Sequence, residues 1–348
     1  MRIHRCVPGV LFWSGLFVAL LASADPPPIP RARAPLAARL GTPGETLVLS
    51  GRLTGHARFR ASHLINRGNL LLCDGPSQIE GALTNQGSIE VREARVDVRG
   101  PVTNLGILRV TDAEVHFEAP YAEHGGYLSD PSDNYFTDLI IGTSGYLVGG
   151  EGDRFFVSGD LVSASTSNTS WSTEAAALIF HTGVDTLHSL SLTGSDFGPL
   201  EIGYTQNFAW GRLEIVPGNS LTLVDGNATP NGALYAGEVV GAQLAGNTVS
   251  NITAAAGLAI YYDPALAANA YLAGATYDLT TGGSLVPLGP PPPVPTLGPF
   301  SRLVLILGLM GLALPPALRR LGVGAASRPM QRAGHARAEH TRREPPCQ

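Results

Sequence analysis

The 348-residue chain has a net charge of −5, and all of its basic residues are arginine. Residues 25–297 hold thirteen arginines against 26 acidic residues and show no basic patch, which argues against nucleic-acid binding. Of the three cysteines only Cys73 lies in this central part, so an intrachain disulfide is excluded there.

The N-terminus has the three parts of a secretory signal peptide. A basic start at residues 1–5 precedes an apolar run from Val10 to Leu21 and then Ala22-Ser23-Ala24. The run is shorter than the roughly 18–20 residues that a spanning helix needs. We therefore predict a signal peptide over residues 1–24, with Ala22 and Ala24 at the cleavage site and the secretion translocon and signal peptidase as partners. Residues 25–39 form a proline-rich leader.

A repeat of nineteen residues follows the leader. Its corners carry asparagine and glycine, at Asn66, Gly68, Asn85, Gly87, Asn104 and Gly106. Apolar residues keep the same spacing in four columns: Leu64, Leu83, Val102; Leu70, Ile89, Leu108; Leu72, Val91, Val110; Ile79, Val98, Phe117. Within each copy apolar positions alternate, as strands with one buried face require. Each copy is thus predicted to contain two or three short strands and a turn, and a fourth copy begins at Tyr121.

This fixed period favours an all-β fold with a parallel β-solenoid, or β-helix-like, region over residues 40–165. In a solenoid each coil buries its apolar columns against the coils above and below. At the corners we expect glycine to supply a positive φ and asparagine to form a ladder with its copies. The alternative is an antiparallel meander, because Asn-x-Gly also suits hairpin turns.

The repeat is no longer legible beyond about Leu139. Residues 166–285 are also predicted to be β-rich, with alternating strand patterns separated by turns such as Asp225-Gly226-Asn227. From the sequence, this part either continues the solenoid or forms a separate domain.

Three carboxylates share one column of the repeat, at Asp74, Glu93 and Asp112. A solenoid would stack them about 4.8 Å apart, and a calcium ion would relieve their repulsion. The sequence therefore offers these residues as a candidate metal site, with a solvated acidic turn as the alternative.

Catalytic and cofactor-binding residues are not indicated elsewhere. The chain has no Gly-x-Ser-x-Gly elbow, phosphate-binding loop or dinucleotide fingerprint. His181, Asp185 and His188 lie close in sequence, but in a strand-and-turn pattern that points their side chains in different directions. We therefore predict a protein that is not an enzyme and that needs no cofactor apart from the calcium ion considered above.

The last sixty residues resemble a membrane-anchoring region. Residues 286–297 are proline-rich and predict an extended stalk. Residues 298–320 contain an apolar segment and Arg319-Arg320, and predict a transmembrane helix; residues 321–348 form a basic, disordered tail. Under the positive-inside rule the arginine-rich tail stays in the cytoplasm and the acidic body is exported.

Val294, Pro295, Thr296 and Leu297, the apolar segment behind them and the arginine cluster together resemble the IPTL-CTERM sorting signal, a relative of the PEP-CTERM signals of Gram-negative surface proteins. The resemblance covers residues 294–320. It implies that the chain is anchored transiently in the inner membrane. An exosortase-like membrane protease then cuts at the motif and passes the body to the cell surface or extracellular matrix.

The sequence thus predicts an exported surface protein of structural or adhesive type, with a glycan or a surface protein as its partner. The alternative is a secreted carbohydrate-active β-helix protein, either polysaccharide-degrading or glycan-binding. An enzyme of this kind would need convergent carboxylates in a groove beside the coils. A groove with paired acids and an aromatic platform, for which Trp171 and Trp210 are the candidates, would favour this alternative, and a featureless convex surface would favour the structural role.

Overall fold

The computed structural model describes residues 18–20, 38–183, 185–226 and 232–289. The signal cleavage site at Ala22 and Ala24, the sorting motif and the predicted transmembrane segment lie outside the described residues. Within them, no helix has the length and apolar character needed to cross a membrane.

The described residues form short strands and two very short helices. The strands are β1 (Val18–Leu20), β2 (Ala38–Leu40), β3 (Thr46–Leu49), β4 (Arg52–Thr54), β5 (Ala57–Phe59), β6 (His63–Asn66), β7 (Asn69–Leu72), β8 (Ser77–Ile79), β9 (Ala82–Asn85), β10 (Ser88–Arg92), β11 (Arg95–Val98), β12 (Val102–Asn104), β13 (Ile107–Thr111), β14 (Glu114–Phe117), β15 (Tyr121–Glu123), β16 (Gly126–Asp130), β17 (Asp133–Phe136), β18 (Leu139–Ile141), β19 (Tyr146–Val148), β20 (Arg154–Val157), β21 (Leu161–Ser163), β22 (Ala177–Phe180), β23 (Leu187–Leu192), β24 (Trp210–Ile215), β25 (Ser220–Asp225), β26 (Ala233–Val240), β27 (Leu244–Ala245), β28 (Thr248–Ala254), β29 (Ala259–Tyr262), β30 (Tyr277–Thr280) and β31 (Ser284–Pro287). The helices are α1 (Ile202–Thr205) and a 3₁₀ helix (Ala267–Leu272).

The strands stack in three columns, and each early coil contributes one strand to every column. The first column runs β3-β6-β9-β12-β15-β18-β21-β23-β25-β28-β30. The second runs β4-β7-β10-β13-β16-β19. The third runs β2-β5-β8-β11-β14-β17-β20-β22-β24-β26-β29-β31. All of these pairings are parallel, which confirms a strand-rich, solenoid-like architecture.

Antiparallel pairing among the named strands of the described residues is confined to β1–β3, β27–β28 and β30–β31. The strand β1, which belongs to the apolar run of the predicted signal peptide, pairs there with β3. The repeat region itself contains no hairpin ladder between its successive strands. The antiparallel meander is therefore wrong for residues 46–163.

The nineteen-residue period sets the register. In the first column Leu64 pairs with Leu83 and Leu83 with Val102, and Val102 pairs with Tyr121 at the start of the fourth copy. The other three predicted columns align in the same way. Inward and outward residues alternate along each strand, as in β9, where Leu83 and Asn85 are buried. We number the coils from β3–β5 (coil 1), so that Tyr121 opens coil 5.

Residues 166–285 continue the first and third columns and do not form a separate sandwich. Partners in the first column lie further apart in sequence here, as in the pairs Leu161–Leu190 and Leu221–Ile252. The second column stops at β19, and an isolated parallel bridge from Val148 to Ser172 follows it. The longer coils explain why the period is lost from the sequence while the stacking persists.

The interior is filled by one apolar core that extends through the coils. Trp171 and Trp210 belong to it and are 8% and 2% exposed, so neither offers a platform to a ligand. A second, smaller core lies on the outward side of the third column. There Tyr235 and Tyr261 stack with 4.9 Å between ring centroids, and the Tyr261 hydroxyl donates to Asp196 Oδ1 at 2.8 Å.

Candidate functional site

Asn66, Asn85 and Asn104 form a ladder inside the solenoid, at the ends of their first-column strands. The side-chain nitrogens of Asn66 and Asn85 each donate to the amide oxygen one coil on, over 2.8 Å from Asn66 to Asn85 and 2.7 Å from Asn85 to Asn104. The Asn85 nitrogen also donates to the carbonyl of Ile107 at 3.0 Å. All three side chains are fully buried. The ladder predicted from the spacing is confirmed, and it satisfies polar groups that would otherwise destabilise the core.

Glu123 replaces asparagine in coil 5 and ends this ladder. Its carboxylate accepts hydrogen bonds from Asn104 Nδ2 at 2.8 and 2.9 Å, from the Tyr121 hydroxyl at 2.7 Å and from the Gly125 amide at 2.7 Å. Burial raises the pKa of Glu123 to about 7, although these hydrogen bonds act in the opposite direction. The repeat aligns Glu123 with Asn104, but the raised pKa depends on burial of the carboxyl group, which the sequence did not reveal.

Glycines at the corners allow adjacent coils to approach closely. A Cβ on Gly87 would lie 2.2 Å from the carbonyl oxygen of Gly68, and one on Gly106 would lie 2.0 Å from that of Gly87. None of these three glycines has a positive φ. The prediction that these corner glycines supply a positive φ is therefore wrong. A side chain is excluded here because the backbones of adjacent coils are in close contact.

Positive φ occurs instead at the column of Asp74, Glu93 and Asp112, with values of 64°, 47° and 49°. These residues are exposed and turn the chain from the second column towards the third. Among the described residues, no group of three or more His, Cys, Asp or Glu side chains is placed to hold a metal ion. The column thus forms left-handed corners, and the geometry lends the calcium hypothesis no support.

Paired charges line the outward side of the third column. Arg95 contacts Asp97 at 3.1 Å and Glu114 at 2.9 Å, and Arg154 binds Asp133 through two nitrogens at 2.5 Å. These side chains are partly exposed, so each pair stabilises the fold by about 0–1 kcal/mol at most. The arginines are bound by neighbouring acids and do not converge on a ligand.

A stack of rings lies beside these ion pairs. His116 stacks on Tyr135 with 4.3 Å between ring centroids, and Tyr135 stacks on Phe156 at 4.4 Å. The Arg154 guanidinium covers Phe156 at 5.5 Å, and the His181 ring meets Phe156 edge-on. Tyr135 is stacked between His116 and Phe156, so neither face of its ring is available as a platform for a sugar ring.

His181, Asp185 and His188 do not come together. His188 is fully buried, with Nδ1 2.8 Å from the Gly159 carbonyl and Nε2 3.1 Å from Asn219 Oδ1. Asp185 is exposed and accepts hydrogen bonds from the backbone that follows it. The prediction that these residues point in different directions is confirmed.

The nineteen-residue spacing aligns Cys73 with Arg92 and Thr111 and so predicts an outward-facing thiol, and this prediction is wrong. The thiol is buried, 1% exposed, and donates to Asp74 Oδ2 at 3.3 Å. Strand β7 ends at Leu72, so the alternation of the strand no longer governs the next residue.

A shallow groove of about 460 Å³ lies outside the corner between the first two columns in coils 5 to 7. It is lined by one imidazole and by small polar or apolar residues: His124, Gly142, Thr143, Ser144, Ala164, Thr166 and Ser167. No lining residue carries a carboxylate or a guanidinium group. Four of its lining residues, Thr143, Ser144, Thr166 and Ser167, carry hydroxyl groups.

Comparisons with models of protein families, with curated proteins and with solved structures found no match to this chain.

Proposed function

We propose that this chain is an exported cell-surface protein of structural or adhesive type, displayed through its C-terminal sorting signal. The observation that carries the proposal is the parallel stacking from β2 to β31, with a filled interior and outward faces of paired charges and small polar residues. Such stacked coils present extended surfaces to a partner, as solenoid proteins commonly do.

The two ends of the sequence support the same proposal. The signal-peptide pattern at residues 1–24 would direct the chain to the secretion translocon and signal peptidase. The motif at residues 294–297 and the apolar segment after it would present the exported body to an exosortase-like protease. The proposed destination is the cell surface or extracellular matrix of a Gram-negative bacterium.

A second candidate is the carbohydrate-active alternative. Its glycan-binding form is supported by the groove of coils 5 to 7. Hydrolysis of a polysaccharide would need a pair of carboxylates flanking the bound sugar. The groove has no acidic residue in its lining, whereas its hydroxyl groups and His124 suit binding without chemistry. We therefore retain glycan binding, and not hydrolysis, as the second function proposed for this groove.

The test of export and sorting is fractionation of the native host with mass spectrometry of both termini. We expect a mature chain that begins at Asp25 and ends near Thr296. A Pro295→Ala variant should keep its C-terminus and stay in the inner membrane, while Pro287→Ala, upstream of the motif, should be processed normally. An intact chain through Gln348 in the wild-type membrane fraction would contradict the sorting proposal.

A further inference from the structure

We propose that the groove of coils 5 to 7 binds a neutral saccharide. The inference rests on the proposed function, because an exported surface would meet such glycans, and it assigns the binding residues.

The groove exists because the corner side chains shrink along the stack. One outward position follows each first-column strand, and it is occupied in successive coils by Arg67, Gln86, Leu105, His124, Gly142 and Ala164. Long side chains occupy this position in coils 2 to 5, and then Gly142 and Ala164 leave the corner open. The His124 ring lies over Gly142, where an added Cβ would be only 2.2 Å from Nδ1. The imidazole therefore forms one wall and coil 7 forms the other.

The hydroxyl groups of the groove are oriented by the protein backbone. Ser144 Oγ donates to the His124 carbonyl at 2.7 Å, and Thr166 Oγ1 donates to the Thr143 carbonyl at 3.2 Å. Because each proton is already used, both oxygens keep lone pairs that accept hydrogen bonds. Within the described residues, the Thr143 hydroxyl and the His124 ring make no hydrogen bond, so they can donate to or accept from a ligand.

This set of groups selects the class of ligand. Without a guanidinium or carboxylate in the lining, a charged ligand would lose hydration and gain no counter-ion. A phosphate needs several donors, but Ser144 and Thr166 donate inward. A neutral sugar offers many hydroxyl groups that both donate and accept, which suits the acceptor oxygens of Ser144 and Thr166 and the unpaired groups of Thr143 and His124.

The experiment uses the full chain in a detergent without a sugar headgroup. Saturation-transfer NMR with maltotriose, cellotriose and mannotriose measures neutral saccharides, and trigalacturonate serves as the charged counterpart. We expect transfer to at least one neutral trisaccharide and none to trigalacturonate. Ala164→Phe should fill the groove and weaken binding at least about tenfold, or about 1.4 kcal/mol. Ala122→Phe makes the same change outside the lining and should leave binding unaltered.

Thr166→Val keeps the shape of the groove but removes one acceptor, and it should weaken binding while the circular dichroism spectrum stays unchanged. Absence of transfer to all three neutral trisaccharides, or binding that persists in Ala164→Phe, would overturn the inference. Protease shaving of host cells measures display separately. A displayed protein that binds no neutral saccharide refutes the groove inference alone, and a protein that binds but is not displayed refutes the proposed function alone.

Discussion

Replacing Glu123 with glutamine should remove a large pH dependence from the stability of the solenoid. Burial raises the pKa of this carboxyl from 4.5 to about 7 in the folded protein. Between those pH values the folded state keeps the proton that the unfolded chain has released, so the folded state binds more protons. The free energy of unfolding therefore falls as pH rises through this window, and it levels off above the folded-state pKa.

The size of the effect follows from the shift. One pKa unit corresponds to about 1.36 kcal/mol, so the interval from 4.5 to about 7 amounts to about 3 kcal/mol. Glutamine cannot ionise, and its carbonyl can still accept from Asn104 and Gly125. Asp153, whose pKa is also raised by burial, is present in both proteins, so its contribution cancels in the difference.

The assay is urea unfolding of wild type and Glu123→Gln from pH 4.5 to 8, followed by the fluorescence of the buried Trp171 and Trp210. We expect the wild type to lose about 3 kcal/mol relative to the variant across this range. Glu118→Gln, the same change at an exposed glutamate, should follow the wild type. A constant difference between wild type and Glu123→Gln at every pH would refute the reasoning.

Two further substitutions test the corner. Asn85→Ala removes the central rung of the asparagine ladder and leaves buried amide and backbone groups unpaired. Because each unpaired group costs about 1–3 kcal/mol, the substitution should lower the free energy of urea unfolding by about 3–5 kcal/mol. Thr103→Ala, on the outward face, should change it by less than about 0.5 kcal/mol, and equal effects of the two changes would argue against the ladder. Gly87→Ala forces a Cβ to within 2.2 Å of the Gly68 carbonyl and should lower the thermal midpoint severely. A Cβ at Gly150 would have no heavy atom closer than 4.0 Å, so Gly150→Ala should lower the thermal midpoint only slightly. Similar thermal midpoints for Gly87→Ala and Gly150→Ala would show that adjacent coils can separate.

The register of the early coils was predictable because it depends on a spacing that the sequence displays. Leu64, Leu83 and Val102 recur at a fixed interval, and a parallel stack is the structure that brings such residues into one row. The same spacing placed Asn66 and its copies in a ladder. These inferences needed no knowledge of distant contacts.

What could not be predicted depends on the contact between coils. The close approach at Gly87 arises from the coil beneath it, so local turn preferences suggested the wrong reason for glycine. The raised pKa of Glu123 depends on its burial next to Tyr121, which lies only two residues away but stacks in the core. In coils beyond Leu161, variable corner lengths conceal the period although the strands still pair.

The hydrogen bonds of the asparagine ladder all point in one direction along the stack, and the ladder ends at Glu123. An asparagine side chain both donates and accepts along the stack, so any number of copies can follow one another. The carboxyl group of Glu123 accepts from Asn104 through both oxygens and has no amide nitrogen to pass on, and therefore Glu123 terminates the run without leaving the Asn104 donor unpaired. A copy of an asparagine-bearing coil inserted before coil 5 would continue the run with its bonds intact, whereas a second copy of coil 5 would place two glutamate carboxyl groups next to each other. The regular part of the solenoid can thus be lengthened by duplication of coils on its N-terminal side. The choice between an amide and an acid at the end of the first-column strand determines where the ladder ends.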